Sequence, residues 1–128
     1  MPYSSARPQV QDGDMLAAID LGSNSFRLQV GRVVDDQIYT LDSLKESVRL
    51  ASGLTADKRL DQESQARALD ALRLFGERLG GLDRGAVRAV ATNTLRVAKN
   101  ASEFLPLAEE ALGFPIEIIA GREEARLI

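Results

Sequence analysis

One stretch near the N-terminus restricts what this chain can fold into more than any other. Leu16 to Leu21 is apolar but for a single acid, Asp20; Gly22-Ser23-Asn24-Ser25 interrupts it, and Phe26-Arg27-Leu28-Gln29-Val30 then alternates apolar with polar. The apolar run reads as a buried strand and the alternation as a strand with one wet face, so the two form a hairpin closed by small polar residues. Such a turn can aim backbone N–H groups and hydroxyls at one point, which suits phosphate or another anion. A carboxylate at the adjacent strand end suits a Mg²⁺ shared with that anion. A plain hairpin, with Gly and Asn serving only the turn, satisfies the same pattern.

The rest of the composition narrows the chemistry. A chain of 128 residues is long enough for one domain with a real core. It contains no cysteine and no histidine, which excludes disulfides, thiolate metal sites, a cysteine nucleophile and a histidine general base. Any catalysis therefore falls to carboxylates, hydroxyls, lysine or metal-bound water. The net charge is −3 and no basic block is present, so sequence-independent nucleic-acid binding is not expected. No apolar run reaches membrane-spanning length, and residues 1–14 lack the apolar core of a signal peptide. Those residues read as a disordered lead-in to a domain over residues 15–128, and the location expected is cytoplasmic.

Beyond the opening hairpin, Asp35-Asp36-Gln37 reads as a turn and Ile38–Leu44 as a third antiparallel strand. Lys45 to Gly53 is mixed, and Gly53–Asp57 reads as a loop. Asp61 can cap a helix running to about Leu79, with Leu69, Leu72, Phe75 and Leu79 on one stripe and Gly80-Gly81 as its stop. Val87–Ala91 is a short strand. Thr92-Asn93-Thr94 caps a short helix, Asn100 opens another that ends at Gly113, and Pro115–Ala120 is the last strand. Gly121 begins a final helix. The order β-β-β-α-β-α-β-α gives an α/β fold with a mixed sheet, antiparallel at first and parallel later, with helices on its faces. Ending on Ala-Arg-Leu-Ile, the sequence reads as a fragment of a longer protein.

Four places put polar groups where strands end: Asp20 with Gly22–Ser25, Arg49 before Ala51-Ser52-Gly53-Leu54, Thr92 to Arg96, and Gly121 to Glu124. Ligands of open α/β sheets bind beyond the carboxyl ends of the strands, and Asp20, Thr92 and Gly121 are expected at one such edge. Each also has an ordinary use. Asp20, Ser23 and Ser25 can serve the turn, Thr92 and Thr94 can cap, and Glu123 and Glu124 favour a helix N-terminus. Arg96 is different, because the first turn of a helix does not favour a cation. Combined, these groups would build a phosphoryl-transfer site. Asp20 would hold Mg²⁺, Gly22–Ser25 would cradle a phosphate, Arg49 and Arg96 would pair with its oxygens, and a glutamate would orient or deprotonate water.

Four motifs resemble one family. Ala18-Ile19-Asp20-Leu21-Gly22-Ser23-Asn24-Ser25-Phe26-Arg27-Leu28 resembles the first phosphate loop of the exopolyphosphatase and guanosine-pentaphosphatase family. Val48-Arg49-Leu50-Ala51-Ser52-Gly53-Leu54 is similar to its next segment, Ala91 to Asn100 to its Ala-Thr-x-x-Leu-Arg motif, and Ile116 to Ile128 to the segment carrying its catalytic glutamate.

The resemblance implies an actin-like (ribonuclease-H-like) first subdomain. It places the catalytic base on Glu124 and the Mg²⁺-associated aspartate on Asp20. Phosphate contacts fall on Gly22, Ser23, Asn24, Ser25, Arg49, Thr92, Asn93 and Arg96. Ala120 stands where many members have Ser, and the family's second phosphate loop would lie beyond Ile128. The implied activity is release of terminal orthophosphate from inorganic polyphosphate, with guanosine pentaphosphate as the alternative substrate and a homodimer as the expected full-length form. A non-catalytic polyphosphate- or nucleotide-binding module is a further alternative, as is sugar-kinase-like chemistry. A half-cleft cannot close around its substrate, so the 128 residues alone are expected to show little activity.

Overall fold

The computed structural model describes residues 13–92 and 94–119. Its five strands are β1 (Met15–Leu21), β2 (Ser25–Val34), β3 (Gln37–Ser47), β4 (Val87–Ala91) and β5 (Ile116–Ile118). They form one sheet in the order β3-β2-β1-β4-β5. β1 pairs antiparallel with β2 and β2 with β3, whereas β1, β4 and β5 run parallel. Three α-helices, α1 (Gln62–Arg78), α2 (Thr94–Val97) and α3 (Ala101–Leu112), and short 3-10 turns at Ala51–Gly53 and Arg84–Ala86 complete the described fold.

Local chemistry sets each boundary. Val34 pairs with Gln37, so the β2–β3 turn is just Asp35 and Asp36, both with positive φ (51° and 64°), as a two-residue hairpin demands. The Asp61 carboxylate caps α1 by accepting the Ser64 N–H at 2.7 Å. Its exposed carboxyl is held below the usual value near 3.8, chiefly by that bond. Gly113, at φ 90°, ends α3 in the left-handed conformation. At Gly76 an added Cβ would lie 2.7 Å from the Leu112 carbonyl oxygen, so glycine is what lets α1 approach the end of α3.

The alternation of β1 and β2 sends Ala17, Ile19, Leu21, Phe26, Leu28 and Val30 to one face. There they join Leu72, Phe75 and Leu79 from the α1 region and Phe104, Ala108 and Leu112 of α3 in a single core. Burying each phenylalanine is worth about 1.5–3 kcal/mol. Ala18, Asp20, Arg27 and Gln29 lie on the opposite face and are exposed.

The mixed sheet agrees with the sequence reading, with three differences. Helices cover one face among the described residues rather than both, because α1 and α3 share that single core. β3 continues to Ser47, three residues past the expected end, with Lys45 opposite Arg27. Edge strands tolerate such charges, which is why Lys45-Glu46-Ser47 carries no apolar alternation. Both helices expected between β4 and β5 are present, so the described order written in full is β-β-β-α-β-α-α-β, one helix more there than the order stated from the sequence. The lead-in up to residue 12 and the helix expected from Gly121 lie outside the described residues.

Candidate functional site

Parallel pairing of β1, β4 and β5 brings their carboxyl ends to one edge. Asp20 is the penultimate residue of β1, exposed on the face without helices, opposite Arg27 on β2 and beside Val90 on β4. Thr92 follows β4 directly and is buried. The Ile119 N–H donates to the Ala91 carbonyl at 2.9 Å, which ties the end of β5 to the same edge. Asn93 and Glu124, both expected at the site, lie outside the described residues.

The Gly22–Ser25 turn is closed by the Gly22 N–H on the Ser25 carbonyl at 3.1 Å. A Cβ on Gly22 would sit 3.0 Å from that same oxygen, so only glycine fits without displacement. The segment after β3 clamps the turn from behind. The Asn24 carbonyl accepts the N–H groups of Val48 (3.0 Å) and Arg49 (2.7 Å), and the Ser23 carbonyl accepts that of Ala51 (3.0 Å). The carbonyls are thereby engaged, while the Ser23 and Asn24 N–H groups donate to no backbone acceptor among the described residues. A turn with bound carbonyls and uncommitted N–H groups is polarised to receive an anion.

Arg49 sits in this clamp with φ 53°, which costs a non-glycine residue roughly 1–2 kcal/mol. Its N–H bond to Asn24 and its carbonyl, which accepts the Ser52 hydroxyl at 2.8 Å, hold it there. Arg96 is exposed on the four-residue α2. Arg59, Arg67, Arg73, Arg78 and Arg88 each pair with a carboxylate, whereas Arg49 and Arg96, like Arg27, Arg32 and Arg84, have no ion-pair partner among the described residues. The Arg49 and Arg96 guanidinium groups can therefore meet a ligand's charge.

One contact escaped the sequence reading. The Thr94 hydroxyl, on a residue only 4% exposed, donates to the Ser23 hydroxyl oxygen at 2.9 Å, joining α2 to the turn across 71 residues. A second threonine in Thr92-Asn93-Thr94 was the sole local signal, and capping explains it equally well. Below the site, Asn100 accepts the Leu60 N–H at 2.8 Å and donates to the Leu60 carbonyl at 3.1 Å. The Lys99 N–H donates to the Lys58 carbonyl at 2.8 Å, so the loop before α1 is fixed to the α2–α3 junction. In that loop the Thr55 hydroxyl bonds the Asp57 carboxylate and, with lesser help from Arg59 and Lys99, holds it below its usual range.

As a metal centre the described residues offer little beyond Asp20. No group of three or more acidic, histidine or cysteine side chains converges among them. A lone carboxylate does not suit zinc, but it fits Mg²⁺, which keeps several waters and takes further oxygens from substrate phosphates.

The hairpins leading into parallel strands, with helices packed on the sheet, place the chain in the actin-like class of α/β folds. Within that class it belongs to the Ppx/GppA phosphatase family, whose model matches residues 29–128. Among solved structures it is similar to an exopolyphosphatase from Cytophaga hutchinsonii, at 29% identity and a TM-score of 0.82 over 90% of this chain and 37% of that one. It is similar to the Aquifex aeolicus Ppx/GppA family member at 28% identity and a TM-score of 0.80, over 88% of this chain and 37% of that one. An exopolyphosphatase-like protein matches at 34% identity and a TM-score of 0.80, over 88% of this chain and 34% of that one. The chain thus spans 34–37% of the length of these relatives. No helix among the described residues is long and apolar enough to cross a membrane.

Proposed function

We propose that the protein is a phosphohydrolase that removes terminal orthophosphate from inorganic polyphosphate. The observation that carries this reading is the polarity of the Gly22–Ser25 turn, whose Ser23 and Asn24 carbonyls are bound from behind while the N–H groups of the same residues donate to no backbone acceptor among the described residues. Arg49 and Arg96, without an ion-pair partner among the described residues, and family membership support it.

In this reading the turn's N–H groups and the Ser23 and Ser25 hydroxyls bind the phosphate oxygens. Arg49 and Arg96 add charge-assisted hydrogen bonds, and Thr92 adds to the polar lining, to which the family resemblance also assigns Asn93. Asp20 would hold Mg²⁺, which when bound would neutralise charge on the transferring phosphoryl group. Glu124 takes a proton from water as the water oxygen bonds to the terminal phosphorus and the bridging P–O bond breaks. Orthophosphate and a chain one phosphate shorter leave. Glu124 comes into this account through the family resemblance alone. These 128 residues supply no histidine or cysteine for a phosphoenzyme, which favours direct attack by water.

The same chemistry on guanosine pentaphosphate yields the tetraphosphate. Orthophosphate release from each substrate by the full-length protein tests the proposal. Faster turnover of polyphosphate, abolished by a chelator and restored by excess Mg²⁺, is expected. Preference for guanosine pentaphosphate replaces the substrate assignment, and hydrolysis of neither overturns the reading.

A further inference from the structure

We propose that Thr94 is a positioning residue that holds the Ser23 hydroxyl as a hydrogen-bond donor toward the bound phosphate. The inference rests on the reading of Gly22–Ser25 as a phosphate cradle. A hydroxyl has one proton to give and two lone pairs to receive with. The Thr94 and Ser23 hydroxyl oxygens lie 2.9 Å apart, so one donates to the other, and in the sense in which Thr94 donates the proton of Ser23 is left to point elsewhere. A phosphate offers only acceptors, and a serine turned this way meets it with a donor. The opposite sense would spend the only proton of Ser23 on Thr94 and set oxygen lone pairs against an anion.

Burial sharpens the argument. Thr94 is 4% exposed, so water competes little for its proton. Ser23 is only partly buried. The bond also links two loops that reach the same sheet edge from distant parts of the chain. One threonine thereby sets both the place and the proton direction of the serine.

A double-mutant cycle in the full-length protein, with tripolyphosphate as substrate, separates positioning from packing. Thr94→Val keeps the shape and removes the proton; it is expected to lower kcat/KM about tenfold, mostly through KM, with thermal unfolding little changed. Thr94→Ser restores kcat/KM to within about threefold of wild type. Ser23→Ala lowers it by a similar factor, and adding Thr94→Val to Ser23→Ala costs nothing further. If Thr94→Val is as harmful without the serine hydroxyl as with it, the inference is wrong. If Thr94→Val does not fold, Thr94→Ala takes its place in the cycle with the same expected coupling. An active enzyme indifferent to Ser23→Ala overturns the cradle reading itself, whereas sensitivity to Ser23→Ala with indifference to Thr94→Val overturns only the role of Thr94.

Discussion

Replacing Asn100 by alanine should be among the more damaging single changes in the described fold, and its cost follows from two hydrogen bonds. Leu60, 3% exposed, gives its N–H to Asn100 Oδ1 at 2.8 Å and receives Asn100 Nδ2 on its carbonyl at 3.1 Å. The two losses are unequal. The carbonyl keeps a second donor, Gln65 Nε2 at 3.0 Å, so that loss costs only about 0.5–1 kcal/mol. The N–H loses its only side-chain acceptor in a buried setting, which costs roughly 1–3 kcal/mol. Asn100→Ala should therefore destabilise by about 1.5–4 kcal/mol, and Gln65→Ala, which orphans nothing, by less than ~1 kcal/mol. In urea unfolding followed by far-ultraviolet circular dichroism, the Asn100→Ala midpoint should fall by about 1 M with an unchanged slope. If Asn100→Ala costs no more than Gln65→Ala, the buried N–H does not dominate and the reasoning fails.

Other consequences can be measured independently. At Gly53 an added Cβ would lie 1.7 Å from Ser64 Oγ and 2.4 Å from its Cβ, and that hydroxyl already accepts from Arg67. Gly53→Ala should thus cost at least ~1–3 kcal/mol in the same urea assay. The Asp61 cap has its carboxyl depressed below the usual value near 3.8 by the Ser64 N–H. Its stabilisation is therefore fully present above that value and is lost as the pH falls through the lower folded-state value. Asp61→Asn should keep a cap but flatten this acid limb of the stability profile, and an unchanged limb would contradict the assignment. Arg96→Ala should raise KM for polyphosphate about tenfold or more, with Arg96→Lys intermediate, as expected for loss of a charge-assisted bond worth roughly 1.5–3 kcal/mol. Equal kinetics for all three forms would remove Arg96 from the site.

What could be read from residues alone was what local chemistry encodes. Asp61, the Leu72-Phe75-Leu79 stripe and Gly113 each announce a helix boundary or face through contacts within a few residues, and the structure places them as expected. The shared edge of β1, β4 and β5 was also legible, because alternating strands and helices force parallel strands whose ends coincide. Partnerships across long sequence distances were not. Asn100 has the residue type and position of a helix cap, yet makes no cap bond and spends its amide on Leu60, 40 residues earlier. The clamp of Val48, Arg49 and Ala51 on the turn uses backbone groups alone, which no side chain advertises. Thr94 and Ser23, 71 residues apart, meet only because β1 and β4 are neighbours.

The most direct test is orthophosphate release from long-chain polyphosphate by the full-length protein carrying Glu124→Gln, measured beside the wild type in Mg²⁺. Removing a general base from a site that still binds its substrate should cut kcat by about 10²–10⁴-fold while leaving KM near its original value. Release within a few-fold of wild type would contradict the account.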